Sequence, residues 1–570
     1  MLSVDAVLQD LSQGKSVSSW KRTLLKKLLH ESRFTEFAEK YPHLRGIDSV
    51  EQILDEVGPR AEVVDGGLEN IPSEGPVVLV ANHPLGGLDG LVLLKILSKV
   101  RPDIKVVSNQ LLQYLEPLRS LFLGVDNIGN RTSRKQVEQV QAHLQNKGAL
   151  IFFPAAEVSR LKLKGIRDGQ WGTGFIRFAA KARAPIVPIH IAARNSAFFY
   201  FASCIYKPLS TALLVREMFN KKNKSLKIRI GRKIPYDNWH SGRIHLAELA
   251  GRFRNHTYRV GANKPDGFLT EAPIALPEDR IVLKKAIEAC APLGQTPDGK
   301  VIYLYQRCGA VNVPVLRELG RLREVAFRAV GEGSGNRRDL DRYDDMYHHL
   351  ILWDPQALEV VGAYRFMPAA SAFEQGRMAD LYSYTLFEYG KEMNDILACG
   401  IELGRSFVQP AYWGKRGLDY LWQGIGAYVA RYPQYRYLFG PVSISGALPA
   451  AARDLLVAFY RMYFSAAGQI AYSRWAYPAS VPEVQAIFDG NDYAKDLISL
   501  KTMLNNMGCS IPTLYKQYSE LCEPGGVQFL DFGIDPDFNH CIDGLVVVDM
   551  SRLKASKYQR YIEPYLAFQG

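Results

Sequence analysis

The fold of the first half of the chain is decided by the stretch Val77-Val-Leu-Val-Ala-Asn-His-Pro-Leu-Gly-Gly-Leu-Asp89. Its continuous apolar run predicts a strand buried in a parallel sheet, and the Gly-rich turn after it is a place where a rigid scaffold exposes reactive side chains. An imidazole, whose ordinary pKa is about 6.5, takes a hydroxyl proton when a carboxylate holds its other nitrogen. His83 and Asp89 are candidates for this pair; the alternative is that both only cap the following helix.

Three later segments also place polar groups at or near strand ends. They are Gly124-Val-Asp-Asn-Ile-Gly-Asn-Arg131, Ala149-Leu-Ile-Phe-Phe-Pro-Ala-Ala-Glu-Val-Ser-Arg160 and Ala184-Pro-Ile-Val-Pro-Ile-His-Ile191. In this order the segments resemble the glycerolipid acyltransferase family, whose blocks are an Asn-His-x4-Asp motif, a Gly/Arg block, a Phe-Pro-Glu-Gly block and a Val-Pro block. The resemblance implies an α/β domain with its active site at strand ends.

The chain departs from the family pattern in two places. Five residues separate His83 from Asp89, and Ala-Glu157-Val-Ser159 stands where the family has Glu-Gly-Thr. Both departures resemble the variant of the family that acylates the hydroxyl of an N-(3-hydroxyacyl) amino acid. By this resemblance His83 is the general base, Asp89 orients it, and Arg131, Glu157 and Ser159 bind the acceptor. A surface salt bridge is the alternative role for Arg131.

Charge indicates the kind of partner. The chain has 570 residues and a formal net charge of +12, which favours a phospholipid surface, a nucleic acid or an acidic carrier protein. The sequence has no motif typical of nucleic-acid binding, so we expect no such partner. The segment 19–30 predicts an amphipathic helix with Trp20 and leucines on one face and basic residues on its flanks, typical of a membrane interface. The alternative is a helix packed on its own domain.

Targeting signals and metal ligands are not evident in the sequence. It has no apolar run of about 20 residues and no secretory signal, so we expect a cytoplasmic protein, peripheral on the inner face of the bacterial membrane. The seven cysteines are scattered, which favours reduced thiols. His348 and His349 have no partner at a ligand spacing, so we predict no metal site. No bound cofactor is expected.

A break in periodicity predicts the domain boundary. Pro- and Gly-containing segments between Gly261 and Arg280 predict a linker over 263–285, with domains at 1–262 and 286–570. In the second domain the strand-like segment 400–408 precedes the loop Gly414-Lys-Arg-Gly417 and an amphipathic helix predicted over 419–430. Free N–H groups at a helix start make this loop an anion cradle suited to phosphopantetheine.

This arrangement resembles the Gcn5-related N-acyltransferase fold, an α+β domain with a mixed sheet that we expect to splay near Val408. Alternation along the strand predicts Glu402 and Arg405 on opposite faces. A more specific resemblance, to acyl-homoserine-lactone synthases and ornithine-lipid N-acyltransferases, is carried by one ordered set: Arg323, Phe327, Asp341, Asp344, Arg365, Glu402 and Arg405. The resemblance implies that the Arg and Asp residues bind substrate, and Glu402 is a plausible base for the attacking amine. The alternative is a buried ion network that only orders the loop.

The two resemblances together match bifunctional ornithine-lipid synthases. The match implies N-acylation of ornithine or another amino acid by a 3-hydroxyacyl group from acyl-carrier protein. O-acylation of the lyso-lipid's 3-hydroxyl follows, with acyl-carrier protein or coenzyme A as donor. One alternative is a lysophospholipid acyltransferase whose C-terminal half is regulatory. A second is a membrane-lytic protein that acts through its N-terminal helix.

Overall fold

The computed structural model describes residues 31–65, 67–108, 115–124, 134–162, 165–205, 213–214, 216–218, 220–222, 224–240, 244–306, 313–468, 470–478, 487–536, 538 and 540–566. The chain forms two compact units, Met1–Pro273 and Ile274–Gly570. The division falls inside the segment 263–285. A helix already begins within this segment, at Arg280, because the Asp279 carboxylate caps the backbone N–H groups of Ile281 and Val282.

The first unit is built on a seven-stranded sheet in the order β1-β9-β8-β2-β5-β3-β4. Strands β2, β3, β4, β5 and β8 run parallel, whereas β9 is antiparallel to β8 and parallel to β1. A separate hairpin joins β6 and β7. The strands are β1 Arg60–Val63, β2 Val77–Ala81, β3 Lys105–Ser108, β4 Phe122–Gly124, β5 Ala149–Phe152, β6 Arg160–Lys162, β7 Gly165–Arg167, β8 Ile186–Ala192 and β9 Ser225–Ile230.

Helices cover both faces of this sheet. Alternate residues of β2 enter different cores: Val77 and Leu79 pack in one, Val78 and Val80 in the other. A strand buried on both faces is typical of a parallel α/β sheet, so the predicted fold class of this unit is confirmed. The helices are α1 Glu31–Lys40, α2 Gly46–Val57, α3 Gly87–Leu97, α4 Arg134–Gln145, α5 Gly174–Lys181, α6 Ala197–Ile205 and α7 Leu246–Gly261, with 3-10 turns at Gly67–Asn70, Glu116–Leu121 and Tyr236–Asn238.

The second unit is built on an eight-stranded sheet in the order β10-β11-β12-β13-β15-β16-β19-β18. Neighbouring strands are antiparallel except for β15 and β16, which are parallel. Strands β14 and β17 form a small separate sheet. The strands are β10 Ala291–Gln295, β11 Val301–Tyr305, β12 His348–Asp354, β13 Glu359–Pro368, β14 Phe387–Tyr389, β15 Gly400–Val408, β16 Tyr437–Ile444, β17 Ala471–Ser473, β18 Val527–Asp535 and β19 Cys541–Asp549.

Helices pack on this mixed sheet, so the predicted α+β class of the second unit is also confirmed. The longer ones are α8 Arg280–Glu288, α9 Val313–Ala329, α13 Gly417–Arg431, α14 Ala450–Phe464 and α15 Tyr493–Asn506. The shorter ones are α10 Ala370–Glu374, α11 Ser383–Leu386, α12 Met393–Ala398, α16 Thr513–Ser519, α17 Ala555–Tyr561 and α18 Glu563–Leu566. Among the described residues of this unit, four 3-10 turns lie at Arg342–Asp345, Met378–Asp380, Pro410–Tyr412 and Met550–Arg552.

Strands β15 and β16 separate partway along their length. They pair only from Gly400 to Glu402, although β15 continues along β13 as far as Val408 and β16 continues along β19. The splay therefore begins after Glu402, earlier than the predicted position near Val408. A register shift between β13 and β15, with Arg405 at a positive φ of 46°, accompanies the separation.

Helix α13 is buried on almost every side rather than amphipathic. A Cβ on Gly424 would lie 2.7 Å from a Leu350 methyl carbon, and one on Gly426 would lie 1.9 Å from the Tyr561 carbonyl oxygen. These two glycines let the helix lie close to the sheet on one side and to the C-terminal helices on another. Among the described residues, no helix is both long and apolar enough to cross a bilayer.

Candidate active sites

His83 and Asp89 lie together where β2 gives way to α3. The Nδ1 atom of His83 is 3.1 Å from Oδ2 of Asp89. Nevertheless, Nδ1 of His83 has no hydrogen-bond partner among the described residues. The contact is therefore a close approach of the two side chains rather than a formed hydrogen bond.

Asp89 also caps α3. Its Oδ2 atom accepts hydrogen bonds from the backbone N–H groups of Leu85 (2.8 Å) and Gly86 (3.1 Å), and its side chain is fully buried. Burial raises the pKa of Asp89, while His83 and the two N–H groups oppose that rise. The pair and the helix cap, which were alternatives from the sequence, are thus both present.

The His83 ring keeps one edge open. Its centroid lies 4.4 Å from that of Phe153, and its side chain is 17% exposed. Nε2 has no hydrogen-bond partner among the described residues. With a proton on Nδ1 facing Asp89, the free Nε2 lone pair has the arrangement that a general base requires.

Neighbouring polar residues hold the turn in place. The Asn82 amide bonds to both backbone groups of Ile191, accepting from N–H at 2.7 Å and donating to the carbonyl at 3.0 Å, which ties the end of β2 to β8. The Asn195 side chain donates to the Pro84 carbonyl at 3.0 Å. Asn82 therefore has a positioning role, and Asn195 is a residue that the sequence reasoning missed.

Ser159 joins the two motifs but its hydroxyl is occupied. Its backbone N–H donates to the His83 carbonyl at 2.8 Å, and its hydroxyl donates to Oδ1 of Asp168 at 2.5 Å. Asp168 also accepts from the His83 N–H and the Trp171 indole. Ser159 and Asp168 are both buried, whereas Glu157 is exposed. Asp168 was missed because a lone Asp-Gly pair after a hairpin is an ordinary turn signal.

Two predicted features lie outside the described residues. They are Arg131, predicted to bind the acceptor, and the helix over 19–30. Their roles remain predictions.

In the second unit, the predicted Arg and Asp residues form one network in which Arg323, Asp344 and Arg365 are buried and Asp341 is partly exposed. Asp344 accepts from Arg323 at 2.6 Å and lies 3.2 Å from Arg365, which also donates to Asp341 at 2.5 Å. Although burial alone would raise it, the two guanidinium groups hold the pKa of Asp344 well below its usual value. Asp341 and Asp344 also close a capping box around the turn Arg342–Asp345.

Arg405 and His349 extend the network. Arg405 lies 3.4 Å from Asp339 and 3.5 Å from Asp341. His349 Nδ1 lies 3.1 Å from the Arg323 guanidinium and can only accept there, so its proton is on Nε2, which faces the Asp344 carbonyl at 3.2 Å. Burial, reinforced by Arg323, lowers the pKa of His349 to about 3, so the ring is neutral.

Glu402 is buried and has several donors. The hydroxyl groups of Tyr347 and Ser383 donate to it, as do the backbone N–H groups of Ser383 (2.5 Å) and Tyr382 (3.1 Å). Burial raises the pKa of Glu402 against these hydrogen bonds. Arg405 lies over the Tyr382 ring at 5.0 Å, so Glu402 and Arg405 approach the same tyrosine. The prediction of opposite faces fails here because the bulge in β15 interrupts the alternation.

A second group of carboxylates lies beside this network. Glu332, Asp535 and Asp543 are each at most 8% exposed, and Glu332 accepts from Ser443 at 3.2 Å. Burial raises the pKa of Glu332 to about 7. Asp535 accepts from the Tyr382 hydroxyl at 3.0 Å. The sequence offered no common motif for these residues, which come from three separate segments.

The predicted donor loop lines a cavity of about 370 Å³ at the start of α13. Gly414 has a φ of 74°, which a glycine adopts without strain. The charged side chains around the cavity balance, three carboxylates against three cations: Asp298, Asp354, Glu359, Lys300, Lys415 and Arg416. Lys415, Arg416 and Gly417 thus border one cavity, as an anion cradle requires. Among the described residues, no group of three or more His, Cys, Asp or Glu side chains is arranged to hold a metal ion.

Comparisons with known proteins match each unit separately. The family described as "Acyltransferase" matches residues 20–262, and the "Acetyltransferase (GNAT) domain" matches residues 322–423. The chain is 30% identical over 248 residues to the lyso-glycine lipid O-acyltransferase of Bacteroides thetaiotaomicron, covering 42% of this chain and 90% of the relative. The chain belongs to the acyltransferase family of this relative.

Two further relatives of this chain are N-acyltransferases. The glycine N(alpha)-acyltransferase of Bacteroides thetaiotaomicron is 29% identical over 279 residues, covering 46% of this chain and 82% of the relative. The L-ornithine N(alpha)-acyltransferase of Rhodobacter capsulatus is 29% identical over 266 residues, covering 44% of this chain and 92% of the relative. The resemblance drawn from the sequence motifs, and the prediction of an acyltransferase, are confirmed.

Proposed function

We propose that this protein makes an amino-acid lipid by two successive acylations. The observation that carries the proposal is that one chain contains a match to each of two kinds of acyltransferase. Two separate proteins of Bacteroides thetaiotaomicron, named for glycine N-acylation and for O-acylation of lyso-glycine lipid, each resemble less than half of this chain. A polypeptide with both units carries out both steps, so that the N-acyl amino acid made in the first step, which has one acyl chain, is the acceptor in the second step.

The second unit performs the N-acylation. The α-amine of the amino acid attacks the thioester carbonyl of a 3-hydroxyacyl donor, so that a C–N bond forms, the C–S bond breaks and the thiol leaves. Glu402 takes the amine proton, directly or through a water molecule, and this proton is then returned to the departing sulfur. The network of Arg323, Asp341, Asp344 and Arg365 orders the side of the site that binds the amino acid. Arg405 lies where β15 separates from β16.

The first unit performs the O-acylation. His83 Nε2 takes the proton of the lyso-lipid's 3-hydroxyl as the oxygen attacks a second thioester carbonyl. A C–O bond forms, the C–S bond breaks, and the thiolate leaves with the proton that His83 returns. Asp89 stabilises the imidazolium that forms between these steps. Arg131 and Glu157 are proposed acceptor ligands by family resemblance.

Acyl-carrier protein is the proposed donor for the N-acylation. The cavity at Lys415 and Arg416 is electrically balanced. A balanced cavity suits the single phosphodiester of phosphopantetheine better than the three phosphate groups of coenzyme A. An acidic carrier also suits a chain with a net charge of +12.

The proposed location is the inner face of the bacterial cytoplasmic membrane, where the protein binds peripherally. Its net positive charge favours an anionic lipid surface, and its products are lipids. The basic amphipathic segment 19–30 is the proposed contact.

Expression in a bacterium that lacks amino-acid lipids tests the proposal. Mass spectrometry of the lipid extract is expected to reveal a new lipid with two acyl chains, and fragmentation identifies ornithine, glycine or another head group. The His83→Ala variant is expected to accumulate the single-chain N-acyl amino acid, which places N-acylation first. An unchanged profile from folded protein, with label entering only phosphatidic acid, would instead support a lysophospholipid acyltransferase with a regulatory C-terminal unit.

A further inference from the structure

A second cavity, of about 640 Å³, lies in the first unit between the end of β8 and the start of β9. Strand β8 is the direct neighbour of β2, which leads into His83. Leu85, two residues after His83, is part of the cavity wall. The cavity therefore opens on the same edge of the sheet as the proposed base.

The cavity is positively charged. Arg194, Lys221 and Lys224 line it together with one carboxylate, Glu217. Glu217 is already engaged, since it accepts from the backbone N–H and the hydroxyl of Ser196 at 2.9 and 2.6 Å and lies 3.6 Å from Lys221. The remaining positive charge suits an anionic ligand.

Lys221 is held in place at the cavity wall. Its ammonium group donates to the Arg194 carbonyl at 2.7 Å, and its side chain is only 9% exposed. Burial lowers the pKa of Lys221, and the charges of Glu217 and Asp89 oppose that shift. An ammonium group has three donors, so a ligand can receive one that these partners do not use.

Asn195 gives the cavity a second chemical preference. Its side chain is buried, and Oδ1 has no hydrogen-bond partner in the described structure. The orientation of the amide is fixed because Nδ2 donates to the Pro84 carbonyl. An unpaired buried acceptor is costly, so the site favours a ligand that brings an N–H donor.

We propose that this cavity binds the head group of the O-acylation acceptor, an N-(3-hydroxyacyl) amino acid. Its carboxylate contacts Arg194, Lys221 and Lys224, and its amide N–H donates to Asn195. The 3-hydroxyl is four bonds from the amide nitrogen, a span of about 5 Å at ordinary bond lengths. Because Asn195 bonds to Pro84, the ligand is held next to the turn that carries His83. This inference rests on the proposed O-acylation.

Kinetics with matched acceptors test the inference on the full-length protein. The probes are N-(3-hydroxyoctanoyl)glycine, its methyl ester, which lacks the carboxylate charge, and the corresponding sarcosine compound, which lacks the amide N–H. For the wild type, both altered acceptors are expected to have a KM about tenfold higher. If the wild type acylates none of the three, the proposed O-acylation fails rather than the assignment of the cavity alone.

The variants Arg194→Ala and Lys224→Ala are suitable because both side chains are exposed. Each is expected to raise the KM for the carboxylate acceptor about tenfold and that for the methyl ester less than twofold, with kcat retained. Lys222→Ala, a neighbouring exposed lysine outside the cavity wall, is the control and is expected to change neither. Equal effects on both acceptors, or no effect, would overturn the inference. Titration calorimetry of the same acceptors with the His83→Ala protein measures binding without turnover.

Discussion

The backbone N–H of Ser159 donates to the backbone carbonyl of His83 at 2.8 Å. This one hydrogen bond joins the turn after β2 to the segment after β5, two motifs that are far apart in the sequence. It fixes the carbonyl side of His83, while Asp168 accepts from the His83 N–H at 3.2 Å. The backbone of the proposed base is therefore held from both sides.

Asp89→Asn is expected to lower O-acylation about 100-fold or more while N-acylation stays within twofold. The amide oxygen can still accept from Leu85 and Gly86, so the cap on α3 remains, but the negative charge beside His83 is lost. Rates of both reactions with purified protein provide the measurement. Asp55→Asn, at an exposed position, is the control. Equal loss of both activities would contradict separate sites.

Asp168→Ala is expected to destabilise the first unit by about 3 kcal/mol or more, because three donors lose their acceptor at once. Ser159→Ala removes one of those donors and is expected to cost about 1 kcal/mol. Urea unfolding of both variants measures the difference. A tenfold rise in acceptor KM for Ser159→Ala at unchanged stability would show that Ser159 binds the acceptor, as family resemblance implies.

Glu402→Gln is expected to abolish N-acylation and to leave O-acylation unchanged. The amide keeps the size of the side chain but cannot take the amine proton. Glu388→Gln, at an exposed site in the same unit, serves as the control. If Glu402→Gln retained more than about a tenth of the wild-type kcat, Glu402 would not be the base.

Glu332→Gln is expected to change the pH dependence of stability. Burial raises the pKa of Glu332 to about 7 from its ordinary value of 4.5, so the folded state holds this proton more tightly than the unfolded state. Stability from this group is present below pH 4.5 and is lost as the pH rises to 7. At about 1.4 kcal/mol per pKa unit, the loss is about 3 kcal/mol.

Unfolding measured from pH 4.5 to 8 checks this expectation. The free energy of unfolding of Glu332→Gln, relative to the wild type, should rise across this range. Glu374→Gln, at an exposed position, should remain parallel to the wild type. A constant difference between Glu332→Gln and the wild type would mean that Glu332 titrates alike in both states.

Lys415→Ala is expected to raise the KM for the acyl donor in N-acylation about tenfold, with a smaller effect on kcat. The effect should shrink at high salt, because the contact is electrostatic. Lys391→Ala, another exposed lysine of the second unit, is the control. An unchanged donor KM would show that the phosphate binds elsewhere.

The sequence predicted the strand-end motifs well because they depend on local order. A buried strand followed by a Gly-rich turn places His83 at the edge of the sheet independently of distant segments. The same turn leads into α3, in which Asp89 is the third residue. The set around Asp341 and Asp344 was likewise recognisable from its spacing.

Other features depend on contacts that local patterns do not encode. The bulge that brings Arg405 towards Tyr382 arises from the pairing of β15 with β13, and the alternation of residues along β15 does not predict it. Asn195 lies just beyond β8, so following that strand to its end would have found it. Asp168 and Glu332 carry no motif, and only tertiary packing reveals their burial.

The close approach of Gly426 to Tyr561 limits how the protein can be shortened. The "Acetyltransferase (GNAT) domain" match ends at residue 423, inside α13, yet the backbone of α17 lies against the remainder of that helix. A fragment cut at the end of the match would leave the helix behind the donor loop without its support. The catalytic unit is thus considerably larger than the segment by which its family is recognised.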